Sequence, residues 1–247
     1  MENGLEVFPM LLFYIRHGDP IYQPDSLTPL GEYQAEAVKS RLGQFGLDKI
    51  YASSSNRAIL TATPTAKMLK KEMEILDWCN ESHAWRDLTV KNEEGNMVWL
   101  YCYNKARIDF VSEDMRALGK KWYEHPKYND ERYKAGTLRI KEETEKLLAA
   151  HGYIHDDKRN LYIAENPSDE RVALFAHEGF GLMFLSCLLD IPYPEFCTHF
   201  TMQHSGMTVI EFPNKKGEVI PTMLQLSNDS HLFAERLPLK YQNRIYF

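Results

Sequence analysis

Arg16, His17 and Gly18 are the residues whose types and order first suggest chemistry. They follow residues 10–15, an apolar run rich in β-formers that is typical of a strand buried on both faces. A neutral imidazole can act as a nucleophile once its other ring nitrogen donates to a fixed acceptor, and an adjacent guanidinium can bind a phosphoryl group through two parallel hydrogen bonds. Glycine would let the backbone approach such a group closely. The tripeptide therefore indicates phosphoryl transfer, with His17 as the candidate nucleophile.

A second histidine and a second arginine can serve the same chemistry. His177 ends another apolar run, residues 171–176, and Arg57 lies in the first turn of a predicted helix. The helix dipole disfavours a cation at that end unless an anion shares the site. Open α/β sheets bind ligands at the carboxyl ends of their strands, so we expect His17 and His177 to meet at one sheet edge. Together these residues would surround the oxygens of a transferred phosphoryl group.

These motifs, in this order, resemble the signature of the histidine phosphatase superfamily, the phosphoglycerate-mutase-like enzymes. The resemblance rests on residues 11–20, 27–35, 52–62 and 175–179. It implies a phosphohistidine at His17 that water then cleaves, with Arg16 and Arg57 on the phosphoryl oxygens and His177 on the other side of the group. The expected activity is hydrolysis of a small phosphorylated metabolite, with no cofactor.

The sequence departs from the mutase members of that superfamily after the Arg-His-Gly motif. Those members continue with Glu and Ser and have an Asn five places after the glycine, whereas this chain has Asp19, Pro20 and Gln23. The departure favours a phosphatase over a sugar-acid mutase, which remains the alternative, with a non-catalytic phospholigand-binding protein as a third interpretation. Gly18, Gln23 and Glu178 are the candidate substrate-binding residues.

Two carboxyl groups are candidates for the proton donor. Glu81 follows a predicted strand, where the resemblance places the acid of the mutase-like branch, and Glu178 follows His177, as in the acid-phosphatase branch. Glu178 should begin a buried helix, whose free N–H groups would stabilise its charged form. Glu81 should lie in a loop, where partial burial beside a phosphate dianion favours the protonated form. We therefore expect Glu81 to be the donor.

Metal-dependent hydrolysis is the chemical alternative to a histidine nucleophile. A histidine together with Asp19 or Glu178 could bind a divalent ion. The sequence contains no H-E-x-x-H motif. We therefore expect no metal in the site. The other histidines are expected to be structural: His83, His125, His151, His155, His199, His204 and His231.

The elements that must position these residues alternate between strand and helix. The predicted order is strand 10–15, helix 29–42 capped by Thr28, strand 48–52, helix 56–70, strand 73–78, helix 136–150, strand 171–176, helix 180–189, and strands 207–212 and 219–226 joined by a hairpin turn. This alternation is typical of a parallel sheet. It predicts one α/β domain over residues 1–247, a three-layer sandwich around a central, mainly parallel sheet.

Residues 84–133 differ from the rest of the chain. They are rich in Trp and Tyr with weak periodicity, and we interpret them as a cap inserted over the active edge of the sheet, with most of its aromatic residues serving packing.

Composition limits the partners. The net charge of -6 argues against nucleic-acid binding, which relies on a basic surface, and no apolar run is long enough for a membrane span. The partner expected is therefore a small phosphate ester. The four cysteines, Cys79, Cys102, Cys187 and Cys197, show no C-x-x-C spacing and are interpreted as reduced core residues. They fit a cytoplasmic protein, as does the lack of a signal-peptide pattern at the N-terminus.

Overall fold

The structure, a computed structural model, describes residues 8–239. Its strands are β1 Met10–Arg16, β2 Pro20–Ile21, β3 Ser26–Leu27, β4 Lys49–Ser53, β5 Met73–Leu76, β6 Thr89–Lys91, β7 Met97–Trp99, β8 Tyr153–Asp156, β9 Leu161–Ala164, β10 Arg171–Ala176, β11 Met207–Phe212, β12 Gly217–Val219 and β13 Thr222–Asn228. Its α-helices are α1 Pro29–Leu42, α2 Asn56–Leu69, α3 Glu81–Asp87, α4 Asn104–Phe110, α5 Glu113–Leu118, α6 Glu131–Ala150, α7 Glu178–Leu189, α8 Tyr193–His199 and α9 Ser230–Ala234. Two 3-10 helices span Asp77–Cys79 and Gly119–Glu124.

A six-stranded sheet forms the centre of the molecule, in the order β13-β11-β1-β10-β4-β5. The pairs β1–β10, β10–β4 and β4–β5 are parallel, while β11 and β13 pair antiparallel. In the register of β1 and β10, Arg16 lies opposite Ala176. The residues that follow, His17 and His177, therefore leave the same edge of the sheet on adjacent strands. The predicted α/β fold with a mainly parallel central sheet is confirmed.

Helices cover both faces of the sheet, as the alternation of side chains along β1 demonstrates. Leu12 and Tyr14 pack into a large core that includes residues of α6 and α7. Phe13 and Ile15 point to the opposite face and pack into a second core with residues of α1 and α2. Because successive side chains of a strand point to opposite faces, an unbroken apolar run requires a layer of helices on each side. The three-layer arrangement follows from this pattern.

Helix starts agree with the local sequence, with one difference in how α2 is capped. Thr28 accepts a hydrogen bond from the Gly31 N–H at 3.1 Å, which is the expected cap of α1. Ser55, at the N-cap position of α2, makes no such bond. Instead, the Asp25 carboxylate accepts from the Asn56 N–H at 2.8 Å. A side chain from a distant loop therefore satisfies the start of α2, and local spacing contains no sign of it.

Some boundaries differ from the expectations. Helix α6 begins at Glu131 rather than 136, because Asp130 caps it by accepting from the Arg132 N–H at 2.9 Å. The predicted hairpin between the last two strands is wrong in detail: β11 and β13 are antiparallel neighbours, but β12 lies between them in sequence and pairs with β9 in a separate three-stranded sheet. All four cysteines are free thiols. Cys102, however, lies on the surface in the turn after β7, so the interpretation of all four as core residues is wrong for this one.

Residues 84–133 contain the β6–β7 hairpin and the short helices α4 and α5. Trp122 is fully buried there, and its ring packs on Tyr133 and on Tyr193 of α8 at centroid distances of 5.6 and 5.3 Å. Trp85, Trp99 and Tyr101 instead face a cavity at the sheet edge. Most aromatic residues of this region thus serve packing, as expected, and its role as a cap stays a prediction. Within residues 8–239, no helix has the length and apolarity that crossing a membrane requires.

Candidate active site

His17 lies directly after β1 and is buried. Its Nδ1 lies 2.7 Å from the carbonyl oxygen of Gly18, and a carbonyl can only accept, so Nδ1 carries the proton. Nε2 is then left with a free lone pair. Burial, followed by the positive charge of Arg16, holds the pKa of His17 well below its usual value. The imidazole is therefore neutral and oriented, which is the condition that a nitrogen nucleophile requires.

His177 lies beside His17, with ring centroids 5.2 Å apart. Its Nδ1 accepts from the Arg57 guanidinium at 3.1 Å, which leaves Nε2–H to donate to Ser53 Oγ at 2.8 Å. The pKa of His177 is also held well below its usual value, first by burial and then by His17 and Arg57. The Tyr14 hydroxyl fixes the backbone of His177, accepting from its N–H at 3.1 Å and donating to its carbonyl oxygen.

Each arginine is held by a carboxylate. Arg16 pairs with Glu178 at 2.8 Å and also donates to the carbonyl oxygen of Met202. Arg57 is buried and pairs with Asp25 at 2.8 Å. The other oxygen of Glu178 accepts from the Met202 N–H at 3.1 Å. These contacts orient both guanidiniums beside the two histidines and limit their rotation.

Glu81 was expected to lie in a loop, but it is the first residue of α3, a helix whose N-cap is Asn80. Its Oε2 lies 3.2 Å from Nδ1 of His177. Its Oε1 accepts from the Phe180 N–H, at the start of α7, at 3.2 Å. Glu178 was expected to accept from the N–H groups at the start of α7. Glu81 accepts from one of them instead, and Glu178 turns toward Arg16. Of the two candidate proton donors, Glu81 is the one whose carboxyl contacts His177.

Two other predicted residues lie away from the cavity wall. Gln23 is exposed, and the wall is formed instead by its neighbours Tyr22 and Asp25. The Gly18 N–H donates to Thr61 Oγ1 at 3.0 Å. A Cβ on Gly18 would lie 2.6 Å from the carbonyl oxygen of Gly31, so this glycine permits close contact with α1 rather than with a ligand.

These groups surround a cavity of about 610 Å³ at the carboxyl ends of the parallel strands. Its wall consists of Arg16, His17, Tyr22, Asp25, Ser54, Ser55, Arg57, Asn80, Glu81, Ser82, Trp85, Trp99, Tyr101, Glu178 and Gly179. This volume suits a small metabolite. The structure thus brings Arg16, His17, Arg57, Glu81 and His177 together, as predicted.

Sequence reasoning missed three side chains of the site. Ser53 holds Nε2 of His177, and Asp25 holds Arg57. The ring of His204, which we expected to be structural only, lies 5.5 Å from that of His17, and its Nδ1 is 3.3 Å from Asp19. Only the serine, in the run before α2, carried a local signal. The others come from loops that tertiary structure brings to the site.

One group of residues in the described part of the chain has the geometry of a metal site. Donor atoms of His155, Asp157 and Asp190 lie within 4.8 Å of one another. Lys120 pairs with both aspartates, at 2.7 and 2.9 Å, and Lys141 pairs with Asp157 at 2.7 Å. Because ammonium groups already balance the carboxylates, this cluster is an ion-pair network.

The family comparison agrees with this geometry. The family model of the histidine phosphatase superfamily (branch 1) matches residues 12–222, which is well over half of the chain. The chain belongs to the histidine phosphatase superfamily. The match spans β1, α2 and β10, and so includes every histidine and arginine described around the cavity.

Solved structures show the histidine phosphatase fold in more distant relatives. Mycobacterial glucosyl-3-phosphoglycerate phosphatase is 18% identical with a TM-score of 0.55, and the match covers 88% of this chain and 98% of that one. A mutant phosphoserine phosphatase from Entamoeba histolytica, solved with phosphoserine, is 18% identical with a TM-score of 0.55, covering 90% and 99%. No curated protein sequence matches the chain significantly. At this identity the similarity shows the fold and leaves the substrate open.

Proposed function

We propose that this protein is a phosphomonoester hydrolase that acts on a small phosphorylated metabolite through a phosphohistidine at His17. The observation that carries the proposal is the hydrogen bond from His17 Nδ1 to the Gly18 carbonyl oxygen, at 2.7 Å. It leaves Nε2 as an unprotonated nucleophile, with two guanidiniums and His177 next to it.

The first step transfers the phosphoryl group to the enzyme. Nε2 of His17 forms a bond to phosphorus while the bond from phosphorus to the ester oxygen breaks. Arg16 and Arg57 stabilise the charge on the three equatorial oxygens, and His177 lies beside the transferred group, where its Nδ1 holds the Arg57 guanidinium. In the second step water attacks phosphorus, the N–P bond breaks, and inorganic phosphate leaves.

Glu81 is the proposed proton donor. It gives its proton to the departing alcohol oxygen and takes one back from the attacking water. Its contact with His177 Nδ1 at 3.2 Å supports this role. Glu178 is the weaker candidate because its carboxylate is engaged by Arg16 and by the Met202 N–H.

The same contacts favour a metal-independent reaction. Glu178, one of the two carboxylates considered as metal ligands, neutralises Arg16, and its other oxygen accepts from a backbone N–H. The charge stabilisation that a metal would provide comes here from guanidiniums.

Free cysteines favour a reducing compartment such as the cytoplasm.

The test is turnover of phosphomonoesters by wild type, His17→Ala and the control His199→Ala, whose histidine is exposed at the end of α8. His17→Ala should abolish phosphate release, and His199→Ala should match wild type. Quenched wild-type reactions should contain acid-labile phosphate on one histidine. Chelators should leave the rate unchanged. Loss of activity on chelation, restored by added metal, would contradict the proposal, and transfer to a sugar-acid acceptor in preference to water would indicate the mutase alternative.

A further inference from the structure

The cavity wall has two chemically different parts. One part consists of His17 and the two guanidiniums. The other consists of the aromatic side chains of Trp85, Trp99 and Tyr101. Trp85 and Trp99 form an edge-to-face pair with centroids 4.9 Å apart and planes at 86°, and Trp99 lies 5.6 Å from Tyr101. Trp99 therefore contacts both other rings, and the three rings form one continuous aromatic wall.

Gly179 connects this wall to the reacting groups. A Cβ on Gly179 would lie 2.6 Å from Cη2 of Trp99 and 2.6 Å from Oε1 of Glu81. The edge of the Trp99 indole therefore lies against the start of α7, next to the carboxyl that we propose to protonate the leaving oxygen. Whatever alcohol departs with that proton must extend along Trp99.

The charges at the cavity wall oppose a second anionic group. Each guanidinium is already paired, Arg16 with Glu178 and Arg57 with Asp25, both at 2.8 Å. Within the part of the chain that the structure describes, the wall has these two cations, their two carboxylate partners and the carboxyl group of Glu81, so it has no unpaired cation for a second anion. A substrate carrying a carboxylate or second phosphate would bring that charge toward like charges, at a cost in binding.

Trp85 is 40% exposed, although it is a large aromatic residue, and it lines the cavity. Exposed indoles that line a cavity are typical of sites that bind flat apolar groups, because stacking and burial stabilise the complex. The ring is held in place by Trp99 and is available on its cavity side.

We propose that the substrate is the phosphate monoester of an alcohol that carries an aromatic ring and no second anionic group. The proposal rests on the phosphomonoesterase function proposed above and names the chemical class of its leaving group. The ring packs along Trp85, Trp99 and Tyr101 while the ester oxygen faces Glu81.

The test compares kcat/KM for esters that differ only in the leaving group. Benzyl phosphate carries the ring, cyclohexylmethyl phosphate replaces it with an aliphatic ring of similar size, and 4-carboxybenzyl phosphate adds an anion. We expect benzyl phosphate to exceed cyclohexylmethyl phosphate by about three- to tenfold, the usual contribution of an aromatic pair. It should exceed 4-carboxybenzyl phosphate by roughly tenfold or more.

Variants of the aromatic wall test whether its side chains cause the preference for the benzyl ester. Trp85→Leu should remove most of the benzyl preference, and Trp85→Phe should keep it. Phe233→Leu alters an aromatic residue that is 77% exposed and does not line the cavity, so it should leave the preference unchanged. Equal values for the benzyl and cyclohexylmethyl esters in wild type, or a faster carboxylated ester, would overturn the inference and leave the hydrolase function standing.

Binding separates the two proposals if none of these esters is hydrolysed. Calorimetry would then give the affinities of benzylphosphonate, cyclohexylmethylphosphonate and 4-carboxybenzylphosphonate. The same order of affinities, lost in Trp85→Leu, would support an aromatic site in a protein without this activity. Equal affinities would overturn the inference as well.

Discussion

At the scale of single residues, Glu81 and Glu178 differ in what their carboxylates touch. Glu81 contacts Nδ1 of His177 at 3.2 Å, whereas Glu178 pairs with Arg16. If Glu81 donates the proton, Glu81→Gln should lower kcat/KM for an alkyl phosphate by roughly 10²- to 10⁴-fold. It should change kcat/KM for 4-nitrophenyl phosphate far less, because that leaving group needs no proton and kcat/KM does not include hydrolysis of the phosphohistidine. Steady-state kinetics with both esters measure this difference.

Glu178→Gln is the matched comparison. It removes the partner of Arg16, so it should weaken the binding of both esters without distinguishing them. A selective loss with the alkyl ester in Glu178→Gln, and none in Glu81→Gln, would show that the assignment is wrong and that the acid-phosphatase arrangement applies.

The two buried histidines predict how activity depends on pH. Burial lowers the pKa of His17 and of His177 well below the usual value, so both stay neutral at a pH where an exposed histidine gains a proton. We expect the acid limb of the kcat/KM profile to lie below the ordinary histidine pKa of about 6.5. If the acid limb lay at or above that value, and the phosphohistidine disappeared over the same pH range, the limb would belong to His17. That result would contradict a neutral buried nucleophile.

Stability should follow the same histidines with a definite sign. Between the lowered native pKa and the ordinary unfolded one, the unfolded chain binds more protons, so stability decreases as the pH falls below about 6.5. His17→Gln removes one of these groups. Its Tm should therefore fall less steeply than that of wild type between pH 6.5 and 5. Thermal unfolding at several pH values measures the difference, and parallel slopes would contradict it.

The catalytic candidates could be predicted from sequence because each sits at a recognisable place in an element. His17 and His177 follow apolar strands, and Arg57 opens a helix. Asp25 and His204 could not be predicted, because they lie in loops and reach the site only through tertiary structure. Glu81 was assigned through the resemblance, and its helix was missed because α3 has only seven residues.

At the scale of elements, the start of α7 is where the proposed proton donor Glu81, the aromatic wall and His177 meet. Gly179→Ala would place a methyl group 2.6 Å from both Trp99 and Glu81. We expect kcat/KM for an alkyl phosphate to fall roughly ten- to a hundredfold, because small displacements of reacting groups are costly. The control is Gly43→Ala, whose methyl meets the flexible end of Met68 away from the cavity. A Gly179→Ala variant with wild-type rates would show that the added methyl group does not displace the reacting groups.

The predictable elements were those with strong periodicity or clear caps. The strands β1 and β10 are unbroken apolar runs, and α1 starts with Thr28 and Pro29. The short elements between residues 84 and 164 were missed. Helices α4 and α5 have seven and six residues, and the aromatic side chains around them pack in a three-dimensional cluster that has no linear period. Strand β12 was missed because its pairing with β9 is a long-range contact that local sequence does not show.

At the scale of the whole molecule, we infer that the aromatic insertion and the α/β sandwich form one cooperative unit. Trp122 of the insertion packs on Tyr193 of α8, and both belong to the large core. Trp122→Ala should destabilise the protein by about 3 to 5 kcal/mol, as expected for a buried tryptophan. Calorimetry should still show a single unfolding transition at lower temperature. Two separate transitions in wild type would indicate a second, independent domain.

The position of β1 has a consequence for how the protein is made. β1 is synthesised before both of its neighbours, β10 and β11, which begin at Arg171 and Met207. A nascent chain on the ribosome therefore carries this apolar strand without its final partners until those residues have emerged. Such an unpaired strand can associate with other chains, and its long-range pairing slows folding. Because His17 and His177 meet only when β10 docks, chains that terminate before Arg171 should be inactive and dependent on chaperones.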